Sequence, residues 1–270
     1  MHVTNKAAKL MREAEREGVA VPAFNVHNYE FIQGAVMGTI KVQGRCLLEV
    51  GPKSLRYIDL PVWYRLARAV AEAVDMEIPL HLDHCPDVAL CLQAVTLGFD
   101  SVMFDGSHLP HDENVRLTRR VVDLAHAHNV LVEGEIGPIT HDPECRVSAD
   151  AIRDFAQRTQ VDLLASGFGT EHGAVTRTLD LARIGELATL GIPLVLHGSS
   201  GVPHHLLRQA VKLGIRKVNV GTALNRAFMR AFAGCQAEDD PRAMLQQARQ
   251  SITHECLSFA SVLMEGVDRT

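Results

Sequence analysis

What this 270-residue chain lacks narrows what it can be. No apolar run reaches the ~18 residues that a membrane span needs. Basic residues are not in excess: 27 Lys and Arg face 32 Asp and Glu, a net charge of −5, so no electrostatic footprint for nucleic acid is present. The six cysteines, at 46, 85, 91, 145, 235 and 256, form no CxxC pair. A chain this long needs no disulfide staples, so free thiols in a reducing cytoplasm are expected. The opening MHVTNKAAKLMREAEREG is polar and carries acids, unlike a secretory signal or an acid-poor transit peptide. No linker or low-complexity stretch interrupts the chain. It is too short for two ordinary two-layer domains, so residues 1–270 are expected to form one domain.

What is present is a repeated rhythm. A short apolar run, often β-branched, is followed by a helical stretch, eight times over. The runs are VAVPAFNV (19–26), RCLLEV (45–50), IPLHLDH (78–84), SVMFDGS (101–107), VLVEGEIG (130–137), DLLASGFG (162–169), IPLVLHGS (192–199) and RKVNVG (216–221). Continuous apolar runs read as strands buried on both faces, the mark of a parallel sheet. Between them, Asp59 reads as an N-cap before Pro61, with Trp63, Leu66, Val70 and Ala73 as one apolar stripe. Leu117, Val121 and Leu124 form another stripe, in a helix that Asn129 can close. Val202-Pro203 opens a third helix, with Leu206, Ala210 and Leu213 on one face and Gly214 beyond its end. Eight β/α units in about 250 residues predict an α/β fold, a (β/α)8 TIM barrel. Residues 1–17 add an N-terminal helix under the barrel floor, and 222–264 an eighth helix with a C-terminal helical extension. An open doubly wound sheet is the weaker reading, because no GxGxxG follows the first strand.

Barrel enzymes place their chemistry at the C-terminal ends of the strands. Those ends carry Asn25, Glu49, Gly51, Asp83, His84, Asp105, Glu135, His172, His197 and Asn219. His84, His172 and His197, from strands 3, 6 and 7, can converge on the axis, and three imidazoles with an open fourth position make a catalytic zinc site. His81 lies deeper on strand 3 and reads as structural. Neighbours on a strand point to opposite sides, so Asp83 and His84 reach one site only if the chain turns there. Asp83 is then an acid/base beside the metal, or else an N-cap for the helix near Pro86. HGSSG (197–201) runs into a helix start, and Asn219, Val220, Gly221 and Thr222 precede another. Two such loops, after strands 7 and 8, suit a phosphate, although ordinary turns have the same composition. Asp105 and Glu135 end adjacent strands and either form a second cation site or orient the histidines.

In this order the motifs resemble the class II (zinc-dependent) fructose-bisphosphate aldolases, more closely their tagatose-bisphosphate and related ketose-bisphosphate branch. AFNVHNYE, LHLDH, GFDSVMFDGSHLPHDEN, AHAHNVLVEGEIG, GTEHG, IPLVLHGSSGVP and KLGIRKVNVGTAL carry the resemblance nearly end to end. It implies a lyase that cleaves a phosphorylated ketose into dihydroxyacetone phosphate and an aldehyde. His84, His172 and His197 would hold zinc, with Asp105 and Glu135 as the alternate metal position. Asp83 would exchange a proton with the C4 oxygen. Asn25, Gly173, Gly198, Ser199, Ser200, Asn219, Val220, Gly221 and Thr222 would bind substrate. A monovalent cation (Na+ or K+) and a homodimer or homotetramer are further implications, with no nucleic-acid or membrane partner. No lysine stands at a strand end for Schiff-base chemistry: Lys217 is early in strand 8 and Lys53 is in the loop after strand 2.

The departures concern the substrate. Glu49 and Gly51 stand where the family commonly has Gln and Ser, which removes a phosphate-binding hydroxyl and adds a negative charge. HGAVTRTLDL (172–181) lacks the family's Tyr-Lys-Gly loop, although Arg177 offers a cation. PITHDPECR (138–146) replaces an acidic Gly-Gly loop, with Glu144 as the nearest acid for moving the enediolate proton and Asp142 second. A ketose monophosphate, or a deoxy or acid-bearing sugar phosphate, is therefore expected. A metal-dependent barrel hydrolase is the poorer fit, since strand 1 offers only His27 and no H-x-H pair. A non-catalytic sugar-phosphate-binding homologue or aldolase partner subunit is the other alternative, against which Asp83 and the three intact ligands count.

Overall fold

The computed structural model describes residues 5–74, 76–176, 178–233 and 240–265. Cys235 and Arg177 lie outside them. Eight parallel strands close into a barrel in sequence order, β1 to β8, with β8 pairing back onto β1. They are β1 (Val21–Asn25), β2 (Leu47–Val50), β3 (Leu80–Cys85), β4 (Ser101–Phe104), β5 (Leu131–Ile136), β6 (Leu163–Ser166), β7 (Leu194–Leu196) and β8 (Ile215–Val220). Each falls on one of the eight apolar runs. The helices are α1 (Lys6–Glu17), α2 (Tyr29–Ile40), α3 (Pro52–Leu55), α4 (Leu60–Glu72), α5 (Val88–Leu97), α6 (His111–Ala127), α7 (Ala149–Thr159), α8 (Leu181–Ala188), α9 (His204–Leu213), α10 (Thr222–Ala233) and α11 (Pro241–Met264). Among the described residues, no helix is long and apolar enough to cross a membrane.

Two apolar clusters hold this together. The larger lies between the barrel wall and the surrounding helices, around Phe24, Trp63, Phe99, Phe104, Phe155 and Phe168. The smaller plugs the barrel floor. There Leu10, Met11 and Ala14 of α1 meet Val21, Leu47, Met103, Leu163 and Val195 from inside the barrel. The N-terminal helix thus closes the end opposite the strand C-termini. Asn5 caps α1 by accepting from the Ala8 N–H, and its amide donates to the Asp100 and Asn129 carbonyls, pinning the helix to the floor.

Helix boundaries follow the capping residues more faithfully than the apolar stripes. Asp59 is the N-cap of α4, Gly214 follows α9, and Asn129 takes the left-handed conformation past α6 (φ 57°). The buried face of α4 is Leu60, Trp63, Ala67 and Ala71, rather than the stripe through Leu66 and Ala73, because small alanines sit closest to the sheet.

The C-terminal extension packs on its own barrel. Helix α11 lies against α2 and α10. Contact with α2 is close because Gly34 and Gly38 have no side chains: a Cβ on Gly38 would stand 2.6 Å from the Thr253 carbonyl oxygen and 2.8 Å from Cys256 Cβ. Gly38→Ala is therefore expected to destabilise the fold by about 1–3 kcal/mol through overpacking, despite alanine's better helix propensity. Gly185→Ala in α8, with only Leu213 at 3.9 Å, is expected to be neutral or stabilising. Urea midpoints of the two variants test this, and equal midpoints would refute the close-packing account.

Candidate active site

At the C-terminal end of β3 the chain makes the turn that Asp83 and His84 require. Leu82 pairs with Val102 but Cys85 pairs with Phe104, three steps against two, so one extra residue bulges out. His84 absorbs it with a left-handed φ of 45°, a conformation uncommon for a side-chain-bearing residue. Both adjacent side chains then reach the barrel mouth. Helix α5 is capped by Asp87, whose side chain accepts from the Ala89 N–H, so Asp83 is free of capping duty.

His84, His172 and His197 converge. Each offers a nitrogen, and these lie within 4.8 Å of one another. His84 Nε2 is 2.8 Å from His197 Nδ1. The far sides of two rings are held by carboxylates. His197 Nε2 is 2.8 Å from Glu133 Oε1, and His84 Nδ1 is 3.2 Å from Asp105 Oδ2 and 3.4 Å from Glu135 Oε2. Carboxylates behind ligating histidines fix the tautomer and raise ligand basicity. At 2.8 Å, His84 Nε2 and His197 Nδ1 face each other as a hydrogen-bonded pair, one donating to the other. Burial opposes the charge on His84, but Asp83, Asp105 and Glu135 outweigh it and push its pKa up to about 10. Burial and the neighbouring His84 charge hold His197 well below the imidazole range, so it stays neutral. A donor set of three imidazoles whose nitrogens lie within 4.8 Å of one another fits a tetrahedral divalent metal.

Asp83 is buried, with both oxygens engaged. Oδ2 accepts from Asn25 Nδ2 at 2.8 Å and Oδ1 from Asn219 Nδ2 at 2.9 Å. Burial works against its charge, but His84, His197 and Lys217 prevail and hold it below the usual carboxylate range. Asp105 and Glu135 share one neighbourhood unequally. Burial and the adjacent Asp105 raise Glu135 to about 8, while hydrogen bonds from His84 and Ser107 outweigh desolvation and lower Asp105. Asp105 thus carries the charge at neutral pH.

Under this layer lies a buried charge network. Lys217 Nζ donates to Glu133 Oε2 at 2.9 Å and to Asn219 Oδ1 at 2.8 Å, with Glu49 Oε2 at 3.3 Å. Burial opposes its charge, but the Glu133 carboxylate outweighs that and keeps the ammonium protonated, unsuited to a Schiff base. Glu49 does not add the negative charge expected of it. It is wholly buried, neither oxygen makes a hydrogen bond, and burial together with Asp83 raises its pKa well above normal, so it keeps its proton. His81 is buried on the same side, with Nδ1 on Ser101 Oγ at 2.6 Å, the structural place expected for it.

A cavity of about 1010 Å³ opens above these groups. Asn25, Gly173, Gly198, Ser199, Ser200, Asn219, Gly221 and Thr222 line it. Gly198 has φ 64° and lies against the Glu171 backbone, and Gly221 has room for nothing larger, since a Cβ would stand 2.7 Å from Asn25 Oδ1. Helix α10 starts at Thr222, with its unpaired first-turn N–H groups and positive dipole end at this wall. The Ser199 hydroxyl is committed to the Asn219 carbonyl, so Ser199 offers backbone while Ser200 keeps its hydroxyl. Val220 is buried in β8, and its side chain belongs to the core. Glu144 stands apart. It is exposed on the 3-10 turn Pro143–Cys145, its N–H donates to Asp142 Oδ1, and it does not line the cavity.

Sequence reasoning passed over Glu133, although the period of two along VEGEI places it on the same face as Glu135. The clamp made by His27 was also missed: Nδ1 meets Ser54 Oγ at 2.7 Å and Nε2 meets Asn225 Oδ1 at 2.8 Å. Nothing local in sequence joins those three residues.

A closed (β/α)8 barrel that gathers three histidines and a buried aspartate at its C-terminal mouth has the architecture of a barrel enzyme. The model for the class-II fructose-bisphosphate aldolase family matches residues 5–266, so the chain belongs to that family and is an aldolase, a lyase of a metal-dependent class. Its fold is similar to that of the YdjI aldolase from Escherichia coli K12, at 24% identity over 98% of each chain and a TM-score of 0.88. It is also similar to the fructose-bisphosphate aldolase (Fba) of Campylobacter jejuni, at 19% identity over 97% of this chain and 95% of that one, with a TM-score of 0.81.

A ligating imidazole must be neutral, so binding a divalent ion must displace the His84 proton. Below its raised pKa of about 10 that proton is present, and apparent affinity is expected to rise about tenfold per pH unit from pH 7 towards it. Calorimetric titration of metal-free protein with zinc in two buffers of different ionisation enthalpy reads the release of about one proton. Identical heats in both buffers would show that His84 was already neutral.

Proposed function

We propose that this protein is a zinc-dependent aldolase that reversibly cleaves a phosphorylated ketose into dihydroxyacetone phosphate and an aldehyde. The observation that carries the reading is the joint convergence of His84, His172 and His197 beside a buried, doubly hydrogen-bonded Asp83. Zinc held by the three histidines would supply Lewis-acid polarisation of the substrate ketone, a contribution of several kcal/mol. Asp105 and Glu135 keep His84 turned toward that position, and Glu133 does the same for His197.

Asp83 removes the C4 hydroxyl proton as the C3–C4 bond breaks and returns it on condensation. Asn25 and Asn219 hold its two oxygens, so the carboxylate meets the substrate without reorganising, and Lys217 beneath favours its ionised form. The glycine-rich turns at 198–200 and 221–222, with the N-terminus of α10, receive the phosphate of the dihydroxyacetone half. Glu144, from the loop after β5, is the proposed acid for moving the proton on the dihydroxyacetone carbon. A Na+ or K+ ion at the phosphate is part of the reading, and exchanging one for the other in the assay tests its role.

Three experiments test this. Zinc-loaded protein is incubated with a panel of phosphorylated ketoses and the product aldehydes are identified by mass. A chelator is expected to abolish cleavage and zinc to restore it; turnover that survives metal removal would sink the reading. Asp83→Asn is expected to lower kcat by about 10²–10⁴ while leaving zinc stoichiometry at wild-type level. Glu144→Gln is expected to slow exchange of the proton on the hydroxymethyl carbon of dihydroxyacetone phosphate with solvent more than it slows binding, and an unchanged exchange rate would remove Glu144 from the mechanism.

A further inference from the structure

His27 lies just beyond the end of β1, and the backbone on either side of it is held. The Val26 N–H donates to the Glu49 carbonyl, and the buried indole N–H of Trp63 donates to the Val26 carbonyl. Asn28 caps α2 by accepting from the Phe31 N–H. The imidazole thus stands on a fixed post, half-buried at the rim. Both of its nitrogens are used. Asn225 Oδ1, 2.8 Å from Nε2, can only accept, so Nε2 carries the proton. Nδ1, 2.7 Å from Ser54 Oγ, then accepts from the hydroxyl. Burial lowers the pKa of His27 against the opposing Asn225 bond, so the ring is neutral at pH 7. With both nitrogens committed, it has no polar atom left for a substrate.

What it holds is the start of α10. Asn225 is the fourth residue of that helix, and its N–H makes the first bond of the helix ladder, to the Gly221 carbonyl. The N–H groups of Thr222, Ala223 and Leu224 precede that bond and are left without a partner by the helix itself. Their direction follows that of the first turn. The His27 ring also packs on Phe31, with centroids 4.7 Å apart, and Phe31 packs on Phe228 of α10 at 5.0 Å. A second tether joins the turn to the loop after β6, where Arg226 donates to the Gly173 carbonyl at 2.7 Å. That contact is exposed, whereas His27 reaches the turn from a post built into the barrel wall.

We propose that His27 is a positioning residue: through its bond to Asn225 it aligns the first turn of α10 for the phosphate of the dihydroxyacetone half. The proposal rests on the aldolase reading and adds to it a residue that acts on substrate affinity through another. The Ser54 hydroxyl sets the imidazole tautomer, and the arm to Asn225 does the aligning. His27 moves no proton and touches no reacting atom.

The test uses a half-reaction that needs no aldehyde. Zinc-loaded protein is mixed with dihydroxyacetone phosphate in deuterated water, and NMR follows loss of the proton on the hydroxymethyl carbon. His27→Ala is expected to raise the half-saturating concentration about 3- to 10-fold. Its maximal exchange rate is expected to stay within about twofold of wild type, the mark of lost binding rather than lost chemistry. Two amide variants separate the arms and decide the matter should His27→Ala fail to fold. His27→Gln carries its amide as far as Nε2 and is expected to hold wild-type affinity within about twofold, whereas His27→Asn reaches only as far as Nδ1 and is expected to match His27→Ala. In His27→Ala/Asn225→Ala the loss is expected to be no greater than in His27→Ala alone, because one bond is removed in both. An unchanged half-saturating concentration in His27→Ala, a fall in maximal rate as large as the loss of affinity, or a His27→Gln variant no better than His27→Asn overturns the proposal. Absence of exchange in the wild type is a failure of the aldolase reading instead. The alignment is then read by backbone hydrogen exchange: peptides covering 222–226 are expected to exchange several-fold faster in His27→Ala than in wild type, with β5 unchanged, and equal exchange at 222–226 overturns it.

Discussion

The carboxylate of Glu133 sets the geometry of the mouth from inside the barrel. It is fully buried, and a buried charge is tolerated only when it is paired and hydrogen-bonded. One oxygen takes Lys217 and the other takes His197. The second contact fixes His197 Nε2 as the donor and leaves Nδ1 facing His84. The first fixes the ammonium so that it can also reach Asn219 Oδ1, which turns the Asn219 amide nitrogen onto Asp83. Through two hydrogen-bonded branches, one acidic side chain therefore orders His197 and Asp83, at the ends of different strands. Networks of this kind reward completeness and penalise gaps. The gaps here, Glu49 and His81 Nε2, fall in the same buried layer, and Glu49 answers by staying protonated.

The barrel was legible because its signal is repeated. Eight apolar runs with eight helical answers leave little choice of architecture, and every strand falls on the run that announces it, β3 and β8 reaching one residue beyond theirs. The helix ends were legible at Asp59, Asn129 and Gly214, where one residue type does a local job. The buried faces were harder. On α4 the sheet selects small residues at Ala67 and Ala71, which a search for large apolar side chains passes over. At the site, the three histidines could be named because barrel function sits at strand ends. The bulge could be inferred as well: two adjacent residues cannot share a site on an unbroken strand. Glu133 and the His27–Ser54–Asn225 clamp were not found, the first because it lies one layer below the strand ends and the second because its parts are far apart in sequence.

The Glu49 substitution shows why residue type alone misleads in a barrel interior. In water a glutamate is an anion. Inside the barrel, beside Asp83 and without a hydrogen bond, its neutral acid form is the one that survives, and Lys217 at 3.3 Å recovers only part of the desolvation cost. A protonated carboxyl is close to an amide in shape and charge. The position that commonly carries glutamine in the family can thus accept Glu49 without reversing the electrostatics around Asp83.

This division between depth and rim bears on how such a chain changes its substrate. The buried polar groups of the mouth are locked by contacts among residues of β3, β5 and β8 and the end of β7, and altering one disturbs its neighbours. The turn after β2 is different. A Cβ on Gly51 would meet only Asp83, its carbonyl oxygen at 3.4 Å and its Oδ2 at 3.8 Å, and Lys53 and Arg56 are exposed, with no ion-pair partner among the described residues. Their identities can vary at little cost to stability, because exposed charges contribute little to folding. Substitution at this turn therefore meets less resistance than in the buried layer below it, where each change leaves a neighbour's charge or hydrogen bond unanswered.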